Sequence, residues 1–189
     1  MLVEKTIVGP VQTNCYILSA DKNSQDVIVV DPGDNAKEIK QKVGDRKIQA
    51  VLLTHGHFDH TGALYAFEGL PIYIHKNDEP MLSDNSLSAG CLIDDNKYRP
   101  KATNYYKEGD VLHIAGLNIT VLETPGHTMG SVCLMCDRQI LTGDTLFDGD
   151  YGRVDLPGGS MEQMKTSLKR LFKLAGYKAW PGHGASTII

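Results

Sequence analysis

The sequence predicts an α/β fold in which two β-sheets stack face to face, with helices on their outer sides. Strand-like segments fall in two separate runs, and each run is accompanied by segments of helical periodicity. Several strand-like segments end close to a glycine that adjoins a histidine or an aspartate. The length of 189 residues suits one domain, spanning residues 1–189.

The first run of strands opens the chain. Apolar and β-branched residues predict strands over residues 2–8, 14–19 and 26–31, and turn residues such as the Gly-Pro pair at 9–10 separate them. Connections this short favour antiparallel neighbours, so we expect a meander.

A helix ending near Val43 is predicted next. Asp34 or Asn35 can cap its amino terminus, and Ile39 and Val43 lie four residues apart, so their side chains share one face. Three further elements complete this half of the chain: a strand at residues 50–53, a helix over residues 61–67 and a strand at residues 71–75.

Residues 77–106 separate the two runs, and their periodicity is weak. So long a stretch without regular structure is often a lid or a binding loop. Its tyrosines either face a substrate or lie at the surface: Tyr98, Tyr105 and Tyr106. Four more strands are predicted beyond it, over residues 110–114, 117–124, 131–136 and 139–142.

The last helix is predicted to begin at Ser160, where an apolar stripe starts with spacings of three and four residues. The stripe consists of Met161, Met164, Leu168, Leu171 and Phe172. Residues 178–180 form the last predicted strand.

Cys133 and Cys136 have a spacing typical of zinc ligands, but residues three apart in a strand face opposite sides, so we interpret both as reduced packing residues.

The composition argues against several classes of partner. With 19 basic and 23 acidic side chains the formal charge is -4, and no basic patch is visible, so nucleic acid is not an expected substrate. The amino terminus has no signal sequence and no apolar stretch is long enough to span a bilayer. We therefore expect a cytoplasmic protein that does not bind a membrane.

Residues 54–61 carry the strongest functional signal. They place His55, His57, Asp59 and His60 within six residues, and a glycine between the first two histidines adds no bulk where the loop must turn. This segment is predicted to connect a strand to a helix. Alternate residues of an extended loop point to one side, whereas the last two ligands follow after the turn. One loop can therefore supply two neighbouring metal positions.

Three later segments each add one ligand-capable side chain beside a glycine: His127, Asp144 and His183. Each segment follows an apolar run, so strand ends that converge on one rim would bring these side chains to the first loop. The seven residues then form one set for a first metal, one set for a second metal and a bridge between them: His55, His57 and His127; Asp59, His60 and His183; and Asp144.

Imidazole-rich ligands suit zinc, iron or manganese, whereas calcium and magnesium prefer oxygen ligands alone. We therefore expect two divalent metal ions, with zinc as the first choice and iron or manganese as alternatives. Such ions lower the pKa of bound water from about 15.7 to roughly 7 and favour an oxyanion. Such a site therefore holds water as hydroxide near neutral pH.

These ligands and their order resemble the metallo-β-lactamase superfamily. Within it the chain is similar to the glyoxalase II-like hydroxyacylglutathione hydrolases, on segments that include Thr13-Asn14-Cys15-Tyr16, Asp31-Pro32-Gly33 and residues 152–159. The resemblance implies a four-layer αββα sandwich with the metals at one edge. It also implies hydrolysis of a small-molecule thioester by a metal-bridging hydroxide, with Asp59 and Asp144 as the catalytic carboxylates.

The chain departs from the pattern of the enzymes that it resembles in two places. Asp144 stands where β-lactam hydrolases usually have a cysteine, and little sequence follows His183 to supply the helical domain with which larger glyoxalase II enzymes grip glutathione. Two alternative functions therefore stay open, a persulfide dioxygenase with a single iron and a lactone or β-lactam hydrolase. Arg153 and Asp155 either form an ion pair that braces their loop or contact the substrate directly.

Overall fold

Two six-stranded sheets form the centre of the protein, and the computed structural model describes all of residues 1–189. The strands of the first sheet lie side by side in chain order: β1 (Leu2–Val8), β2 (Thr13–Ser19), β3 (Asp26–Val30), β4 (Lys47–Leu52), β5 (Ile72–His75) and β6 (Asn104–Tyr106). Strands β1 to β3 pair antiparallel, as predicted, and β3 to β6 pair parallel.

The second sheet also keeps chain order: β7 (Val111–Ile114), β8 (Leu117–Glu123), β9 (Val132–Cys136), β10 (Gln139–Gly143), β11 (Lys178–Pro181) and β12 (Thr187–Ile188). All its pairs are antiparallel except β10 with β11. The prediction that residues 178–180 form the last strand is wrong, because β12 pairs with β11 at the sheet edge. Two residues are too few to show a strand pattern.

Three α-helices and three 3₁₀ turns connect the strands: α1 (Ala36–Val43), α2 (Phe58–Thr61), α3 (Met161–Leu171), and turns at Leu64–Phe67, Glu79–Leu82 and Gly90–Ile93. The helix expected over residues 61–67 is wrong, since α2 begins inside the histidine segment. Its hydrogen-bond ladder stops because the Ala63 N–H donates to Pro32 O, 2.9 Å away, instead of continuing the helix. Residues 77–106 hold two of the 3₁₀ turns and β6.

The two longer helices differ at their amino termini. Ser160 caps α3 as predicted, and its side chain accepts a hydrogen bond from the Gln163 N–H. Asn35 occupies the cap position of α1 with a left-handed backbone, φ 50°, and its side chain accepts no backbone hydrogen bond, so the predicted capping contact is wrong. The ends of the apolar stripe of α3 are also not buried, because Met161 and Phe172 are 38% and 60% exposed.

The core forms three layers of apolar side chains. Between the sheets, residues such as Leu18 and Leu52 pack against Val121 and Leu134. Helix α1 covers the outer face of the first sheet through Ile39 and its neighbours, and α3 covers the second sheet through Leu171. The protein is therefore a four-layer αββα sandwich, as predicted.

The cysteine interpretation is also confirmed. Cys133 packs in the layer beneath α3 whereas Cys136 packs between the sheets, so the two side chains lie on opposite faces of β9. All four cysteines are free.

The longest helix, α3, has 11 residues, and none of the helices is both long and apolar enough to cross a membrane.

Candidate metal centre

The seven predicted ligand residues meet at one edge of the sandwich, just beyond the carboxyl ends of strands. Those of residues 55–60 follow β4, and the other three follow β8, β10 and β11. Two of the predicted groups place their ligand-capable atoms within 4.8 Å of one another: His55, His57 and His127, and Asp59, His60 and His183. Each group is of the size and composition that holds one metal ion.

Asp144 lies between the two groups. Its Oδ2 is 3.5 Å from His127 Nε2 and 3.5 Å from His183 Nε2, and its Oδ1 is 3.4 Å from His60 Nε2. In the second group, Asp59 Oδ2 lies 3.2 Å from His183 Nε2. One carboxylate thus contacts members of both groups, which is the position required of a bridging ligand.

Hydrogen bonds to acceptors set the tautomer of several histidine rings. His127 Nδ1 lies 2.7 Å from Arg153 O, and His183 Nδ1 lies 3.1 Å from Val11 O. A carbonyl oxygen can only accept, so each Nδ1 carries the proton and donates it. When these rings are neutral, each Nε2 therefore directs a lone pair toward the cluster, which is the form that binds a metal.

A buried relay from Asp31 acts on two more rings. Asp31 Oδ2 accepts from the Thr54 hydroxyl at 2.6 Å and from His60 Nδ1 at 3.0 Å. The Thr54 hydroxyl donates its proton to Asp31, so toward His55 the Thr54 Oγ1 atom can only accept. It therefore accepts a hydrogen bond from His55 Nδ1 at 3.1 Å. The Nε2 atoms of His55 and His60 thus face the cluster. Asp31 has φ 51°, a strained backbone conformation for a residue other than glycine.

The unpaired atoms of the cluster fit a metal. Buried side-chain atoms without a hydrogen-bond partner are rare in folded proteins, yet this chain has five, and four of them belong to the predicted ligands: His55 Nε2, His57 Nε2, His60 Nε2 and Asp144 Oδ1. In addition, His57 Nδ1 and His127 Nε2 lie 2.8 Å apart. Divalent cations would satisfy such a set of nitrogen and oxygen donors.

Burial and neighbouring charges separate the pKa values of the two groups. Burial holds the pKa of His55 well below its usual value and lowers that of His57 to about 3. Burial also opposes the charge of His183, but hydrogen bonds to Asp144 and Asp59 raise its pKa to about 9. His55 and His57 therefore present neutral imidazoles, whereas a cation has to displace a proton from His183.

Asp78 is a site residue that the sequence did not reveal. It is fully buried, and its Oδ2 accepts from the Gly56 N–H and the Thr128 hydroxyl while its Oδ1 accepts from the Gly130 N–H. It therefore ties the loop of His55 to the loop of His127. No local signal marks it, because an aspartate in a segment without periodicity resembles any solvated loop residue.

Gly56 also has a different role from the predicted one. A Cβ at this position would lie 2.7 Å from Met81 Cβ and 2.8 Å from Asp78 O. Glycine is required because residues 78–81 pack closely against the loop, and the backbone of Gly56 is not left-handed.

The first hairpin also holds part of the centre. The Thr13 hydroxyl donates to Asp59 Oδ2 at 2.8 Å, and Asn14 Nδ2 donates to Pro181 O and Gly184 O at 2.9 and 3.0 Å. Asn14 thereby fixes the segment that carries His183. These contacts give Asn14 a structural role beside the site.

A cavity of about 340 Å³ opens beside the cluster and is lined by five predicted ligand residues: His57, Asp59, His127, Asp144 and His183. Arg153 lies in its wall and also forms a two-pronged ion pair with Asp155, at 2.7 Å for both contacts. The predicted brace is therefore present, and Arg153 is also placed beside the cavity. The cavity is also lined by residues 89, 92 and 93 of the segment 77–106, whereas the tyrosines of that segment, Tyr98, Tyr105 and Tyr106, do not line it.

An αββα sandwich with a cluster of imidazoles and carboxylates at one edge defines a class of metal-dependent enzymes. The model of the metallo-beta-lactamase superfamily matches residues 8–183. The chain therefore belongs to that superfamily.

Curated relatives agree with this assignment. The chain is 37% identical over 203 residues to a probable metallo-hydrolase of Streptococcus pyogenes, covering 100% of this chain and 86% of the relative. It is 35% identical over 192 residues to the probable metallo-hydrolase YqgX of Bacillus subtilis, covering 96% and 90%. The protein is thus a metal-dependent hydrolase of the superfamily.

Solved structures share the fold over nearly the whole chain. BLEG-1, a B3 metallo-beta-lactamase, is similar with a TM-score of 0.93 and 29% identity, covering 99% of this chain and 94% of that one. TTHA1623 in a di-iron-bound form has a TM-score of 0.86 and 32% identity, covering 98% and 94%. ETHE1 from Myxococcus xanthus has a TM-score of 0.77 and 26% identity, covering 100% and 80%.

Proposed function

We propose that the protein is a binuclear thioester hydrolase of the glyoxalase II type. The observation that carries this proposal is the pair of three-residue groups that Asp144 contacts from between. The first ion would be held by His55, His57 and His127. The second ion would be held by Asp59, His60 and His183, and Asp144 would contact both ions. When bound, two such cations lower the pKa of a coordinated water and polarise a carbonyl oxygen.

The reaction adds water across the thioester. A water oxygen forms a bond to the carbonyl carbon, the carbon–sulfur bond breaks, and the products are a carboxylate, a thiol and one released proton. A thiol with a pKa of about 8.5 leaves as thiolate, so no strong general acid is needed. Apart from the ligands the cavity wall has no carboxyl group or histidine, which agrees with this requirement.

We assign the proton that water releases to the carboxylates of Asp59 and Asp144. Asp59 lines the cavity, and Thr13 and His183 orient its Oδ2. Burial opposes the ionisation of Asp59, but the charge of His60 and the hydrogen bond from His183 lower its pKa to about 2. Burial likewise opposes the ionisation of Asp144, but the charge of His60 holds its pKa well below its usual value, so both carboxylates are ionised at neutral pH.

Metal analysis together with a substrate panel tests the proposal. Protein reconstituted with zinc should bind two ions per chain and hydrolyse thioesters faster than lactones or β-lactams. Zinc is the expected metal, and the di-iron form of TTHA1623 supports iron as the alternative. A plateau at one ion, with oxygen uptake by the iron-loaded protein, would replace the proposal with a single-iron persulfide dioxygenase.

β-Lactam hydrolysis is the second candidate function, because BLEG-1 is described as a B3 metallo-beta-lactamase and covers nearly the whole chain. The aspartate at position 144 argues against it, since β-lactam hydrolases usually have a cysteine there. Faster turnover of any β-lactam than of every thioester in the panel would establish this second function instead.

A further inference from the structure

The cavity beside the ligand cluster has a largely apolar wall. Apart from the ligands, its side chains include Val11, Leu92, Ile93, Phe147 and Leu156. They come from three separate parts of the chain: the turn after β1, the turn Gly90–Ile93, and the loop between β10 and α3. Apolar groups so far apart in sequence converge on one mouth, which is typical of a ligand-binding pocket.

Three of these side chains are unusually accessible to solvent. Leu92 is 65% exposed, Ile93 52% and Val11 45%. Exposed apolar groups that cluster at the opening of a pocket mark a surface that another molecule covers. Because five predicted ligand residues line the same cavity, a carbonyl carbon held at them places its attached group against this wall.

The charges around the cavity disfavour an anionic group. Outside the ligands, the only charged side chain in its wall is Arg153, whose guanidinium is occupied by Asp155. A neighbouring cavity of about 460 Å³ shares Val11 and Ile93 as wall residues. Outside the ligand set its charged residues are three aspartates and one lysine: Asp34, Asp94, Asp95 and Lys97. Lys97 is paired with Asp34 at 2.9 Å, so neither wall offers an unpaired basic side chain to a carboxylate on the acyl group.

We propose, on the basis of the thioester hydrolase function above, that the substrate has an uncharged, apolar acyl group that packs against Val11, Leu92 and Ile93. Each methylene that leaves water gains free energy from the hydrophobic effect. A terminal carboxylate on the acyl group loses hydration in the same place without gaining a partner. The enzyme therefore selects short aliphatic acyl groups over dicarboxylic ones.

Thioesters of one neutral thiol, N-acetylcysteamine, test this selection on the zinc-loaded protein. From acetyl through butanoyl to hexanoyl, kcat/KM should rise about two- to fourfold per added methylene. The pentanoyl thioester should exceed the succinyl thioester by at least about tenfold. A flat series, or a preference for succinyl, would overturn the proposal.

Two variants locate the selection. The double variant Leu92→Ser with Ile93→Thr should reduce the ratio of kcat/KM for hexanoyl to that for acetyl at least about threefold. Ile7→Thr is the matched control, because Ile7 is also 52% exposed but does not line either cavity, and it should keep the wild-type ratio. An unchanged ratio in the folded double variant would show that these side chains do not contact the acyl group.

A binding measurement separates failure of this inference from failure of the proposed function. If no thioester is hydrolysed, the proposed function fails, but hexanoate and succinate still report on the pocket. Hexanoate should shift the methyl NMR signals of Leu92 and Ile93 at lower concentration than succinate does. Equal effects, or a stronger effect of succinate, would contradict the apolar selection.

Discussion

At the scale of single residues, two buried carboxylates outside the predicted ligand set hold the metal ligands in position: Asp31 and Asp78. Asp31 orients the ring of His60 directly and that of His55 through Thr54. Asp78 joins the two loops that supply the first group of ligands. Mutation of a group that orients a metal ligand typically lowers the metal affinity by about 10- to 100-fold.

Asp78→Asn should weaken zinc binding about tenfold. The amide nitrogen would face a backbone N–H donor at one of the two positions where Asp78 accepts, Gly56 and Gly130, and a buried donor would lose its partner. Chelator competition measures the affinity. Asp84→Asn, an exposed carboxylate of the same segment, is the control and should bind zinc like the wild type. Equal affinity of all three proteins would rule out a positioning role for Asp78.

Asp144→Ala should lose at least about a hundredfold in kcat/KM, because it removes the one carboxylate that contacts both ligand groups. Arg153→Ala should lose less than about fivefold, since an exposed ion pair contributes little. Steady-state kinetics on folded protein with measured metal content decides between them. Equal losses in metal-replete protein would refute this division of roles.

At the scale of elements, helix α3 supports the loop that carries His127. The Ser160 N–H donates to Gly126 O at 2.8 Å, and the Ser167 hydroxyl donates to Pro125 O at 2.7 Å. A Cβ at Gly126 would lie 2.5 Å from the Met164 backbone, so helix and loop are in direct contact. A helix on the outer face of the second sheet therefore contributes to the position of a ligand at its edge.

Ser160→Ala should destabilise the protein by about 1 kcal/mol, the usual contribution of a capping side chain. The Gln163 N–H, which the Ser160 hydroxyl now satisfies, would be left to water. Urea unfolding measures the change. Ser160→Asp supplies another capping oxygen and should stay within about 0.5 kcal/mol of the wild type. Equal destabilisation by both substitutions would show that the cap is not the cause.

At the scale of the whole molecule, the ligand cluster joins the two sheets. Residues 55–60 follow β4 of the first sheet, whereas His127, Asp144 and His183 follow strands of the second. Bound cations would therefore link the two halves of the sandwich. Any ligand that binds only the folded state raises the free energy of unfolding.

Zinc should accordingly raise the Tm of the wild type in a concentration-dependent way. At a free concentration of about 100 times Kd the gain is about 2.7 kcal/mol for one site. Thermal unfolding monitored by circular dichroism measures it, with magnesium as the control cation because magnesium prefers oxygen ligands. A Tm that does not respond to zinc, or responds equally to magnesium, would contradict a zinc-binding link between the sheets.

By itself the sequence determined the two runs of strands, the stacking of two sheets, the cap of α3 and the seven side chains that meet at one edge. These features depend on local periodicity, on turn residues and on histidines beside glycines at the ends of apolar runs. Such signals lie within a few residues of each other, so they can be read without knowing the partners.

Only the tertiary structure decided which groups orient the ligands and what covers them. Asp78 and Gly130 are 52 positions apart, and Asp31 and His60 are 29 apart, so no local pattern links them. The early end of α2 depends on a bond to Pro32, and the two residues of β12 form a strand only because β11 lies beside them. The apolar mouth arises in the same way, since Val11 and Ile93 become neighbours through packing across the fold.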